Sequence, residues 1–273
     1  MCDRDDQFDR VDDLRVEGVL EVRMAGDVLI ASLARPEKRN ALNDASVLAV
    51  ERVADLLPAN IRAVVLEGMG EHFSGGLDLN ELRERNVTEG IHHSRMWHRV
   101  FEKLQFGRVP IVAVLKGAVI GGGLELALAA HIRVAETTAF YALPEGQRGI
   151  FVGGGAAVRL PRVIGVDRMA DMMLTGRTYG AEEGLRLGLS QYLVGRGEGL
   201  AKALELAQRI AKNATITNFA VIQALPQIAA HDRTGGFVME ALMSAIAQAE
   251  PDAKERVRAF LEKRAQKVER EGT

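Results

Sequence analysis

The chain has a single cysteine, Cys2, so no internal disulfide can form. It has no apolar run near the roughly 18 residues that a spanning helix needs, and its N-terminus carries no apolar core of a secretory signal. Charge of one sign is lacking too. Lys plus Arg number 35 against 37 Asp plus Glu, a formal net charge of -2, so nothing draws the chain to nucleic acid or an anionic membrane. Any phosphate binding must be local. His92 and His93 are adjacent and point apart on a helix, no cysteine lies near them or His98, and no His-Glu-x-x-His pattern occurs, which argues against a metal site. Neither glycine cluster runs on into Lys-Ser or Lys-Thr, and no nicotinamide fingerprint follows a first strand. These absences predict a soluble, cytoplasmic protein with no metal or redox cofactor and with neither nucleic acid nor membrane as partner.

What is present fits one large core with a helical extension, since 273 residues are 47% hydrophobic. Residues 1–17 form an acid-rich tail with little to bury. Val28 to Leu33, Ala63 to Leu66, Ile111 to Leu115, Ile132 to Ala135, Ala139 to Leu143 and Gln191 to Val194 read as strands. Helices are predicted over Asp44 to Leu57, capped by Asn43 and closed by Pro58, over Thr88 to Phe106, and over Leu124 to Ala129. From Gly199 the period is entirely helical, with segments near Leu200 to Lys212, Asn218 to Ile228, Gly236 to Gln248 and Asp252 to Val268. The boundaries read as 1–17, 18–198 and 199–273.

Two glycine turns stand between strand and helix. Ile120-Gly121-Gly122-Gly123-Leu124-Glu125 opens an apolar helix that carries a carboxylate in its first turn, and His72-Phe73-Ser74-Gly75-Gly76-Leu77-Asp78-Leu79 follows a buried strand. Uncovered N–H groups at such turns suit a developing negative oxygen. A further carboxylate, Glu145, follows Pro144 at the end of a short apolar strand. Taken singly, the turns are ordinary tight turns and the glutamates ordinary surface residues.

Together with Arg35-Pro36-Glu37-Lys38-Arg39-Asn40-Ala41-Leu42-Asn43, Pro110 to Ala127 and Leu174-Thr175-Gly176-Arg177, in that order and spacing, these segments resemble the crotonase (enoyl-CoA hydratase/isomerase) superfamily from about Val28 to the C-terminus. The resemblance implies an α/β fold, a crotonase-like spiral of strand-strand-helix repeats with a C-terminal helical trimerisation region. A homo-oligomer, trimer or dimer of trimers, follows from it. It also implies an acyl-CoA thioester as substrate, with coenzyme A entering as part of that substrate and no separate cofactor.

The resemblance places the two main-chain oxyanion donors on Gly75 and Gly122, and the acid/base pair on Glu125, as base for the attacking water, and Glu145, as acid toward C2. Gly153 matches a glycine whose N–H helps to place the water and the glutamate. Substrate or CoA contacts are implied for Lys38, Arg39, Ser74, Gly76, Asp78 and Leu79, and for Phe260 and Lys263 reaching a neighbouring subunit. Both glutamates favour an enoyl-CoA hydratase, a 3-hydroxyacyl-CoA dehydratase in reverse. An isomerase, a hydrolase or lyase of the same superfamily, and a non-catalytic CoA-binding protein stay open. The flank departs from the usual pattern, with Val152 where many relatives carry proline, and Phe151, Val152 and Tyr141 stand where the acyl pocket or plain core is expected.

Overall fold

A computed structural model of the chain describes residues 9–10, 14–78, 80 and 85–262. The order is β1 (Asp9–Arg10), β2 (Leu20–Ala25), β3 (Val28–Leu33), α1 (Asp44–Asp55), β4 (Ala63–Gly68), α2 (Val87–Gln105), β5 (Ile111–Leu115), β6 (Ala118–Ile120), α3 (Gly122–Ala127), β7 (Ile132–Glu136) and β8 (Phe140–Ala142). Then come α4 (Ala156–Arg159), α5 (Pro161–Ile164), α6 (Val166–Thr175), β9 (Tyr179–Gly180), α7 (Ala181–Leu187), β10 (Tyr192–Val194) and α8 (Gly199–Ala211). Most of the acidic tail lies outside the described residues, and none of the described helices is long and apolar enough to cross a membrane.

The main sheet has seven strands in the order β1-β2-β3-β4-β5-β7-β10, antiparallel as far as β3 and parallel beyond it. β3, β4 and β5 are buried along their whole length, which explains their unbroken apolar runs. Successive side chains leave opposite faces. Leu29, Ala31, Val64, Leu66 and Ala113 join the larger core with α1 and α2, whereas Val28, Ile30, Val65, Val112 and Val114 meet Ala203, Leu206 and Ala207 of α8. A second sheet, β6-β8-β9, is the smaller layer, and its parallel β6–β8 pair sets Ile120 beside Ala142. The turns that follow these two residues therefore emerge side by side.

Two compact units divide at Ala211/Lys212 rather than after residue 198. The displacement is one helix long: α8 has the helical period expected of an extension, but its apolar stripe covers the main sheet. Periodicity identified the helix without revealing what it packs on. The second unit contains α9 (Thr215–Phe219), a π-helical turn Ala220–Ala224, α10 (Leu225–Ala230), α11 (Arg233–Ala249) and α12 (Pro251–Leu261). The single helix expected over Asn218 to Ile228 is interrupted because Pro226 has no N–H to give the preceding turn. Asp232 caps α11 by accepting from the N–H groups of Thr234 and Gly235.

Residues 156–187 form four short helices that periodicity did not reveal. Gly165 and Gly176, both at positive φ, end segments of four to ten residues, too brief to establish a helical period.

If α8 belongs to the core, Leu206→Ala should lower stability by about 2–5 kcal/mol, the usual loss for emptying a buried leucine site. Urea unfolding would measure it, and an unchanged midpoint would detach α8 from the sheet.

Candidate active site

The loop after β4 and the turn before α3 are held together as short parallel strands. Ser74 N–H donates to the Ala118 carbonyl at 2.9 Å, and Ile120 N–H to the Ser74 carbonyl at 3.1 Å. The approach is close enough that only glycine fits: a Cβ at Gly123 would lie 2.7 Å from the Ser74 Cβ, and one at Gly122 2.8 Å from the Trp97 ring. Gly121 takes φ +51 and faces Glu145, whose Oε1 would collide with any Cβ there. The Gly76 φ of +90, together with the Ile120 carbonyl 2.6 Å from its would-be Cβ, excludes a side chain on the other loop.

Hydrogen bonding corrects which N–H groups face the pocket. Gly75 N–H, the expected donor, is taken by the Arg39 carbonyl at 2.7 Å. Gly76 N–H donates to Ser74 Oγ at 3.2 Å, and Asp78 N–H to the Leu42 carbonyl at 2.8 Å. Leu77 N–H and Gly122 N–H donate to no partner among the described residues, and both residues line one pocket of about 350 Å³. A Cβ at Gly122 would sit 3.6 Å from Leu77 N, so the two donors converge. The pairing of Leu77 with Leu42 as a parallel bridge turns alternate N–H groups to opposite sides, which glycine content alone does not reveal.

Glu125 and Glu145 line the same pocket and are buried, at 3% and 9% exposure. Glu125 Oε1 accepts from Gly154 N–H at 2.8 Å and Ala156 N–H at 2.9 Å. These donors lie just beyond Gly153, the expected one; Gly153 lines the pocket but offers its carbonyl to Ser94 Oγ at 2.6 Å. Arg159 backs this loop, bonded to the Gly154 carbonyl at 3.2 Å and to Gln105 Oε1 at 2.6 Å. Burial raises the Glu125 carboxyl, while its N–H donors and the Arg159 charge oppose the rise. Among the described residues, Glu145 Oε2 has no hydrogen-bond partner. Burial, with the Glu125 charge adding to it, pushes Glu145 up to about 7. The two N–H donors favour the ionised form of Glu125, and the unpartnered Oε2 favours the protonated form of Glu145.

The remaining expected contacts separate by role. Ser74, fully buried, gives its hydroxyl to the Asn40 carbonyl at 2.8 Å, and Asp78 is paired with Arg35 at 2.7 Å and Lys38 at 3.6 Å. With Gly76 they hold the loop's shape and do not line the pocket. Lys38 and Arg39 lie beside the same loop, outside the pocket. Phe260 is exposed in the second unit, whereas Leu79 and Lys263 lie outside the described residues.

Phe151 and Val152 do line the pocket, while Tyr141 is fully buried in the core. His131 accepts from Ile111 N–H at Nδ1 and donates to the Gln105 carbonyl, a structural tie. Trp97 packs edge-on against Phe101 and beneath Gly122; its helical spacing from His93 and Phe101 was visible, its place at the turn was not.

Residues 23–271 match the family described as enoyl-CoA hydratase/isomerase. The chain belongs to that family. It is 31% identical to the short-chain-enoyl-CoA hydratase of Clostridium acetobutylicum over 88% of this chain and 93% of that protein. A crystal structure of an enoyl-CoA hydratase candidate from Rhodopseudomonas palustris superposes with a TM-score of 0.88 at 61% identity, covering 90% of this chain and 95% of that one. The enoyl-CoA hydratase of Bacillus anthracis gives 0.84 at 32% identity, over 90% and 96%. The fold is accordingly the crotonase fold, an α/β body with a helical C-terminal region.

The raised Glu145 carboxyl has a stability consequence. Its folded value exceeds the ordinary carboxyl value, so its contribution is fully present at acid pH and is lost as pH rises toward and through about 7. Glu145→Gln should therefore melt close to the parent at pH 5 and be more stable by about 1–3 kcal/mol at pH 8. A pH-independent difference in thermal melts would contradict the perturbed carboxyl.

Proposed function

We propose that the protein catalyses the reversible addition of water to a trans-2-enoyl-CoA thioester. The observation that carries this reading is that two buried carboxyls, unlike in their partners, share one pocket with two uncommitted N–H groups. The thioester oxygen accepts from Leu77 and Gly122 N–H, a pair of fixed dipoles that gain strength as negative charge develops there. Glu125 takes a proton from water as its oxygen bonds to C3, and the displaced electron pair moves through C2 onto the thioester oxygen. As the enolate collapses, Glu145 gives its proton to C2. The step is redox-neutral and calls for no metal or redox cofactor, with coenzyme A carried as part of the substrate.

Lys38 and Arg39 are the proposed contacts to the CoA arm, joined from a neighbouring subunit by Phe260 and Lys263. α11 supports an assembly into trimers or dimers of trimers: Val238, Leu242 and Ile246 repeat every four residues and are all exposed. Leu242→Glu should lower the mass measured by light scattering, and an unchanged oligomer would place the interface elsewhere.

An isomerase would move a proton within the chain using one carboxyl, leaving the clamped Glu125 without a task. The assay follows loss of the conjugated-thioester absorbance. Glu125→Gln and Glu145→Gln should each lower turnover by roughly 10²- to 10⁴-fold with little change in substrate binding. In the parent, kcat/KM for hydration should fall as pH rises above about 7, when Glu145 gives up the proton it must donate. Near-normal hydration by either folded variant would remove the pair from the chemistry.

A further inference from the structure

The pocket is uneven in character along its length. Near the N–H donors its walls are Leu77 and Trp97, and among the described residues its ionisable groups there are Glu125 and Glu145. At the beginning of α2 stands a cation. Arg85 precedes the helix, whose start is set by a capping box: Asn86 Oδ1 accepts from Glu89 N–H, and Glu89 Oε2 from Asn86 N–H, each at 3.0 Å. Arg85 lines the pocket, is half-buried, and has no hydrogen bond or ion pair among the described residues.

Among the described residues, its polar neighbours in the pocket, His93 and Ser94, are committed elsewhere. His93 Nε2 gives its hydrogen bond to Asp44 Oδ1 at 3.0 Å with its ring against Trp97, and Ser94 Oγ is held by the Gly153 carbonyl. Arg159, the cation behind Glu125, is spent on Gln105 and Gly154. Among the described residues, Arg85 is thus the pocket-lining guanidinium left to receive something from a ligand. Val87 and Trp97 are ten residues apart, about 15 Å along the helix axis, so the cation and the N–H donors bracket a chain rather than one atom.

Resting on the thioester reading above, we propose that the acyl chain bound here ends in a carboxylate, which Arg85 receives at the far end of the pocket. Buried acidic groups in the same pocket make an uncompensated carboxylate on the ligand unfavourable, and the fork of Arg85 offsets that cost while fixing the chain's extent. A tail without charge would leave the guanidinium facing an apolar chain.

The test separates this inference from the hydratase reading by measuring binding as well as turnover. Adipyl-CoA and hexanoyl-CoA, saturated thioesters of equal length, are titrated calorimetrically into the parent and Arg85→Gln, and the octanedioyl and octanoyl pair repeats this at greater length. Turnover is followed with the matching enoyl thioesters. At one length or the other the parent should bind the dicarboxylic thioester roughly ten- to a hundredfold more tightly than its neutral counterpart, and Arg85→Gln should erase that preference while leaving the neutral ligand unchanged. Equal binding of both by the parent at both lengths, or an equal loss of both in Arg85→Gln, would overturn the proposal, the second result assigning Arg85 to the CoA portion common to all four ligands. If neither enoyl thioester is hydrated but the dicarboxylic preference depends on Arg85, the hydratase reading fails and this one stands.

Discussion

The site depends on a steric condition: two stretches of main chain must approach within side-chain-excluding distance. The Gly76 loop and the Gly121–Gly123 turn meet where Ser74, Trp97 and the Ile120 carbonyl already occupy the space that Cβ atoms would need. Bare backbone is the means by which Leu77 N–H and Gly122 N–H converge on one pocket. Everything else at the site is arranged around that contact. Ser74 and the Arg35–Asp78 pair fix one loop, and the pairing of β6 with β8 aims the other while bringing Glu145 alongside.

A second order of control is electrostatic. Two carboxyls buried in one cavity cannot both ionise cheaply, and the surroundings decide between them. Glu125 is given two N–H donors and a nearby arginine, whereas among the described residues Glu145 is given none for Oε2. The same amino acid at two positions thereby meets surroundings that favour opposite protonation. This asymmetry is a property of the α4 loop and its Arg159 support as much as of the glutamates.

Much of the architecture was legible because burial writes a pattern. β3, β4 and β5 read as continuous apolar runs since both their faces are covered, and Asn43 and Pro58 bracket α1 by local chemistry that needs no tertiary partner. The short helices between residues 156 and 187 were not legible, being shorter than the window over which a period can be recognised. Nor was the placement of α8: an amphipathic stripe declares that a helix will pack, not which surface it will pack on.

The site divides along the same line. By itself, the sequence determined the glycine turns and the apolar strands that carry them, because residue type and spacing along one chain suffice for local geometry, while the two glutamates were singled out only by the resemblance of whole segments to a family. Tertiary structure decided the directions of individual groups: that Gly75 N–H turns to Arg39 while Leu77 N–H meets no partner among the described residues, that Gly154 and Ala156 rather than Gly153 clamp Glu125, and that Arg85 joins the same cavity. A hydrogen bond has a direction set by what lies opposite it. What lies opposite, at these positions, comes from segments tens of residues away, so it exists only once the chain has folded.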